Sequence, residues 1–164
     1  MICSYRKINR FLDRDYSRVG FYYITINIHK NGFKFSSIYN GKLMMNKYGK
    51  IASEYWNEIH KHYPECITHE YVIMPDHIHG IIEIKEYKGD IDFFMDRSKR
   101  HAHRLACIIG SYKSAVSRKI HKMGNMGFKW QRSFYDRVMR ITEHDRIEQY
   151  IQNNPKQAAL KKTQ

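Results

Sequence analysis

An antiparallel α+β sandwich, a sheet with helices packed on it, is the fold class that this sequence predicts. Runs rich in β-branched and aromatic residues alternate with runs whose apolar positions recur at helical spacing. Their order is strand, helix, paired strands, helix, strand, helix, the pattern of an α+β domain. The 164 residues show no internal repeat, low-complexity tract or linker, so residues 1–164 read as one domain with enough chain for a hydrophobic core.

Residues 1–17 are polar and basic and read as an arm. Val19-Gly-Phe-Tyr-Tyr-Ile-Thr-Ile-Asn-Ile28 is a strong strand by its β-branched and aromatic content. Asn31-Gly32 is a turn signal, a weaker strand follows near 34–38, and Asn40-Gly41 turns the chain into 42–45. Over 47–62, Tyr48, Ile51, Ala52, Tyr55, Trp56 and Ile59 keep helical spacing, and Pro64 marks the end. Strands at 67–74 and 77–85 flank Met74-Pro75-Asp76, which is either a tight hairpin or a bulge in one bent strand.

Residues 86–103 are charged and loop-like, whereas 105–121 carries Ile108, Ile109, Tyr112, Ala115, Val116 and Ile120 on one helical stripe. Gly124–Gly127 is a loop, and 128–141 holds a strand or two short extended pieces. Thr142 is placed to cap a helix running to about Asn153, with acidic residues in its first turn. A last short helix at 155–162 would have Asn154 as N-cap and Pro155 at its first position.

Lys and Arg number 29 against 16 Asp and Glu, a formal charge of 29 − 16 = +13. That excess favours polyanionic partners, and 13 Tyr and 8 Phe add rings able to stack on unpaired bases. Three cysteines without CxxC spacing argue against a disulfide framework and a zinc knuckle. No apolar run reaches membrane-spanning length and no signal-peptide core is present, so the expected compartment is the reducing cytosol, with no membrane partner.

The most informative stretch is His77-Ile78-His79. Strand side chains alternate, so the two imidazoles project from one face while Ile78 points to the other. Two neutral imidazoles on a stiff mount make a partial ligand set for a divalent metal; equally, they could be ordinary polar-face residues. His60-Lys-His62 falls on a helix, where residues two apart do not share a face, and His101-Ala-His103 falls in the basic segment read as irregular. A third ligand is needed. Tyr150 and Asn154, four apart on the last long helix, could bring a phenol and an amide oxygen to the histidines. Imidazole plus amide oxygen with open positions suits Mg²⁺ or Mn²⁺, and Tyr150 would then be the nucleophile. The rival readings are a packed Tyr150 and a capping Asn154, since the proline after Asn154 disfavours helical geometry there.

Three segments carry a resemblance: Tyr71-Val-Ile-Met-Pro-Asp-His-Ile-His-Gly80, Trp130-Gln-Arg-Ser-Phe-Tyr-Asp-Arg137 and Gln149-Tyr-Ile-Gln-Asn-Asn-Pro155. In that order they resemble the single-tyrosine HUH transposases, closest to the REP-associated tyrosine transposases and their insertion-sequence relatives. The early strand and the Ile109–Arg118 helix are similar too, so the likeness covers nearly the whole chain. It implies a ferredoxin-like antiparallel sheet packed with helices, the HUH endonuclease fold. It also implies His77 and His79 as metal ligands, Tyr150 as nucleophile, and a polar side chain one turn later, here Asn154, completing the site. Asp76 stands where relatives often carry Asn.

The activity so implied is cleavage and rejoining of single-stranded DNA at hairpin-marked ends through a 5′-phosphotyrosine. Arg97, Lys99, Arg100, Arg104, Lys113, Arg118, Arg132 and Arg137 are candidates to hold phosphates, though each taken singly reads as a solvated surface charge. The competing readings are a replication-initiator or relaxase-type nickase and a catalytically silent, domesticated hairpin-DNA-binding protein. Monomer or homodimer stays open, because some relatives exchange the tyrosine helix between subunits.

Overall fold

In a computed structural model of the chain, the described residues are 19–40, 42–85 and 97–160, the side chains of 97–103 excepted. The expected arm at 1–17 therefore lies outside them, as does 86–96. Six strands and four α-helices follow in the order β1 (Gly20–Asn27), β2 (Ser36–Tyr39), β3 (Lys42–Met45), α1 (Lys47–Asn57), α2 (Ile59–His62), β4 (Cys66–Ile73), β5 (His77–Ile84), α3 (Arg97–Lys122), β6 (Tyr135–Met139) and α4 (His144–Leu160), with one turn of 3-10 helix at Ile141–Glu143. The main sheet has the order β4-β5-β1-β6 and is antiparallel throughout. Leaving aside the small β2–β3 hairpin, this is the β-α-β-β-α-β arrangement of a ferredoxin-like domain.

Alternation along β1 and β5 sorts the core into two layers. Tyr22, Ile24 and Ile26, with Ile78, Ile82 and Ile84, face α1 and α3 and join Trp56, Ile108, Ile109, Tyr112 and Val116 in the larger cluster. On the other face Ile81 meets Ile147 and Ile151 of α4, and Ile38 and Leu43 of the β2–β3 hairpin pack on the same cluster. Every residue of β5 but one has a side chain to commit to a layer. The exception is Gly80, where a Cβ would sit 2.3 Å from the Trp56 ring. The buried indole lies directly on the strand there, so only glycine fits between the histidines and the core.

Several sequence expectations change. The helix expected over 47–62 breaks at Glu58 into α1 and α2. Met74-Pro75-Asp76 is a hairpin connection, and the irregularity falls instead between Thr68 and Tyr71, where β4 carries a bulge. Helix α3 begins at Arg97, so 97–104 is helical and not loop: the segment holds no Pro or Gly, and helix-favouring Arg, Lys and Ala extend the periodic stripe backwards. His101-Ala-His103 thus lies on a helix. Thr142 is not a cap, because a 3-10 turn precedes α4 and the Arg140 N–H is bound by the Glu143 carboxylate at 3.0 Å. Asn154 is not a cap either. Helix α4 runs through Pro155, at the usual cost of a lost N–H bond, because Ile147, Ile151, Asn154 and Pro155 form one buried stripe.

The Trp56–Gly80 contact predicts that Gly80→Ala lowers stability by about 1–3 kcal/mol in urea unfolding, an overpacking cost. Gly110 of α3 is the control, because a Cβ added there would meet nothing within 4 Å. Gly110→Ala should add roughly 0.5–1 kcal/mol.

Candidate active site

β5 is paired on both sides, which gives His77 and His79 a rigid base. Asn27 lies opposite His77 and Thr25 opposite His79 on β1, while Val72 of β4 flanks His79 on the other side. The two rings stand edge to face with centroids 4.6 Å apart. Their Nδ1 atoms are both occupied. His77 Nδ1 lies 2.7 Å from the Asp76 carboxylate, and His79 Nδ1 lies 2.8 Å from the Tyr23 hydroxyl and 2.9 Å from Thr25 Oγ1. Each ring therefore keeps Nε2 as the atom available to a ligand, with a neighbour that fixes ring orientation, as in metal-binding histidines generally.

Burial, reinforced by His77, pushes the His79 pKa down to about 4, so the ring is neutral near neutral pH, the form that binds metal. Burial likewise pushes the Tyr23 phenol up to about 12 and keeps its proton in place. Tyr23 is thus a hydrogen-bonding support to His79. The donor set of His77 and His79 fits a divalent ion with further positions open to oxygen ligands.

α4 crosses this face of the sheet and brings Tyr150 to the pair. The Tyr150 ring lies 6.0 Å from the His79 ring and 6.4 Å from Tyr23, and the residue is 44 % exposed. With Tyr23, Arg137, Glu143, Arg146 and Ile147 it lines a cleft of about 400 Å³. Arg137, opposite Tyr23 on β6, pairs with Glu143 at 2.8 Å, and that bond, with the Arg140 N–H, holds the Glu143 carboxyl down at about 2. Asn154 is buried on α4 one turn beyond Tyr150.

The other basic candidates are scattered. Arg104 pairs with Glu65 and lies over the Tyr63 ring at 4.8 Å, in a groove of about 670 Å³ that it shares with Arg118 beside α1 and α3, away from Tyr150. Lys113 donates to the carbonyls of Gln131 at 2.6 Å and Ser133 at 3.3 Å, so it ties down the segment before β6. Burial lowers its pKa. Arg132 is exposed, and Arg97, Lys99 and Arg100 lie in the first turns of α3 with side chains outside the described residues.

Three site residues were missed in sequence. Arg146 precedes Tyr150 by one helical turn, a spacing that could have flagged it. Tyr23 and Thr25 depend on the β1–β5 register, which local sequence does not carry.

No family model matches the chain. It is 30 % identical over 159 residues to an uncharacterized protein of Haemophilus influenzae, covering 92 % of this chain and 88 % of that protein. The two belong to one family. Among solved structures it matches a REP-associated tyrosine transposase bound to a REP hairpin, with a TM-score of 0.55 and 18 % identity, over 96 % of this chain and 74 % of that one. The chain has the fold of the REP-associated tyrosine transposases. In this chain His77 and His79 lie on β5 and Tyr150 on α4.

The His79 environment has a measurable consequence. Its folded pKa lies below the ordinary 6.5, so protonation favours the unfolded chain. The stability this group contributes is complete above about pH 6.5 and is lost as pH falls toward about 4. In metal-free protein, imidazole ¹⁵N NMR should find His79 neutral at pH 6, with a midpoint near 4; a protonated His79 at pH 6 would contradict the burial argument.

Proposed function

We propose that the protein cleaves and rejoins single-stranded DNA through a covalent bond between Tyr150 and a 5′-phosphate. The observation that supports this best is the meeting of His77, His79 and Tyr150 on one face of a sheet with the transposase fold.

The scissile phosphate would enter the cleft beside Tyr150, where the guanidinium groups of Arg146 and Arg137 offset its charge. Tyr150 Oη attacks phosphorus in line and loses its proton to solvent. The tyrosyl O–P bond forms as the P–O3′ bond breaks, and the departing oxygen takes a proton to become a 3′-hydroxyl. An incoming 3′-hydroxyl attacks the same phosphorus in the reverse sense and releases Tyr150. One phosphodiester bond is exchanged for another of similar energy, so no nucleotide is consumed.

A protonated phenol is a poor nucleophile. Mg²⁺ or Mn²⁺, held by Nε2 of His77 and His79 and completed by the Asn154 amide oxygen, would polarise the phosphate oxygen and so ease that attack. Thr25 and Tyr23 fix the orientation of the His79 ring through Nδ1, and the Asp76 carboxylate fixes that of His77 in the same way. The 18 % identical transposase was solved with a REP hairpin. We extend hairpin or single-stranded DNA to this chain on the strength of its +13 charge and its aromatic content.

Tyr150→Phe removes one oxygen atom and should leave DNA affinity within about twofold while abolishing cleavage and the protein–DNA adduct on a denaturing gel. His77→Ala or His79→Ala should remove cleavage, and His60→Ala should not. An adduct formed in full by Tyr150→Phe would overturn the assignment. Affinity for a hairpin oligonucleotide should fall by at least about tenfold between roughly 50 and 200 mM salt, because phosphate neutralisation dominates; salt-independent binding would argue against a phosphate-led interface.

A further inference from the structure

We propose a second metal site, for a zinc-class transition ion, formed by His69 of β4 with His144 and Glu148 of α4; it rests on no part of the transposase reading. Each of the three side chains offers one ligand atom, and those atoms lie within 4.8 Å of one another. Among the described residues this is the one group of three His, Cys, Asp or Glu side chains gathered so closely, and it contains neither His77 nor His79.

The bulge in β4 builds the cluster. Tyr71 lies opposite Gly80 and so faces α1 and α3, and simple alternation would send His69 the same way. The register shift between Thr68 and Tyr71 inserts one extra residue, so Ile67 lies opposite Glu83 and His69 turns to the α4 face. There its ring lies 5.2 Å from that of His144. His144 and Glu148 are one turn apart on α4, with His144 Nδ1 3.6 Å from the Glu148 carboxylate.

Two further observations fit a ligand. His144 Nε2 is buried with no hydrogen-bond partner among the described residues, so an ion taken at that nitrogen, in place of the Nδ1 that faces Glu148, would offset a cost that nothing else there offsets. The Glu83 carboxylate lies 3.0 Å from His69 Nε2, the kind of partner that metal-bound imidazoles have. Two imidazoles and one carboxylate with an open position match zinc coordination, not the oxygen-rich shell of Mg²⁺. Bonds of about 2.0–2.1 Å require modest side-chain rotation to close the group.

Such an ion would tie the first turn of α4 to the sheet. Glu148 precedes Tyr150 by two residues, so zinc occupancy would restrain the helix that carries Tyr150.

The test uses full-length protein freed of metal and carrying His77→Ala and His79→Ala, so that the first site cannot contribute. This variant should bind about one Zn²⁺ in calorimetry and give a low-symmetry Co²⁺ absorption spectrum, and Zn²⁺ should raise its melting temperature. Adding His69→Ala should remove binding. Adding Glu148→Gln, a part-exposed near-isosteric change that spares the fold, should weaken it at least tenfold, and Glu83→Gln should weaken it by about 10–100-fold. No Zn²⁺ binding by the His77/His79 variant, or affinity unchanged by Glu148→Gln, would overturn the proposal.

Discussion

The antiparallel pairing of β5 with β1 is the constraint on which the rest of the structure depends. It sets Thr25 against His79 and Asn27 against His77, and it places Tyr23 one step along, against Ile81. A slip of one residue would turn both histidines into the core and expose Ile78 and Ile82, which are fully buried on the α1–α3 side. Register is thus enforced by hydrophobic burial on one face, and its product on the other face is a pair of oriented imidazoles. Trp56 reinforces it, because its ring occupies the space on β5 that Gly80 leaves free.

Burial and polarity divide the α4 face lengthwise. His77, His79 and Tyr150 gather toward one end, Ile81, Ile147 and Ile151 fill the middle, and His69, Glu83 and His144 occupy the other end. The apolar middle anchors α4, which lets a half-exposed Tyr150 be held by a helix whose buried stripe includes Asn154. That anchoring also explains why α4 survives Pro155: one lost backbone hydrogen bond costs less than displacing Ile151, Asn154 and Ala158 from their contacts.

The α+β class, the strand with His77 and His79 and the helix with Tyr150 were legible in sequence because each rests on a local period, whereas the ferredoxin-like order came only from the family resemblance. Alternation alone put His77 and His79 on one face. What was not legible depends on partners distant in sequence. Tyr23 and Thr25 reach His79 through a register 54–56 residues away. His69 reaches α4 through a bulge that no Gly or Pro announces, and its odd-numbered position pointed to the wrong face. The proline in α4 and the charges before Leu105 gave local signals of helix breaks that burial and helix propensity overrode. The basic residues were the least legible. Arg137, Arg104 and Lys113 are engaged by Glu143, Glu65 and backbone carbonyls, and an ion-pair partner is not written next to an arginine.

The central claim is that this sheet delivers a scissile phosphate to Tyr150. Its most direct measurement is mass spectrometry of the protein–DNA adduct after trypsin and nuclease digestion. Cleavage after Arg146 and Lys156 isolates Ile147-Glu-Gln-Tyr-Ile-Gln-Asn-Asn-Pro-Lys156, which contains a single tyrosine. The account predicts a residual nucleotide attached to that peptide through its tyrosine. The same mass on the peptide carrying Tyr135, or on the one carrying Tyr23, would contradict it.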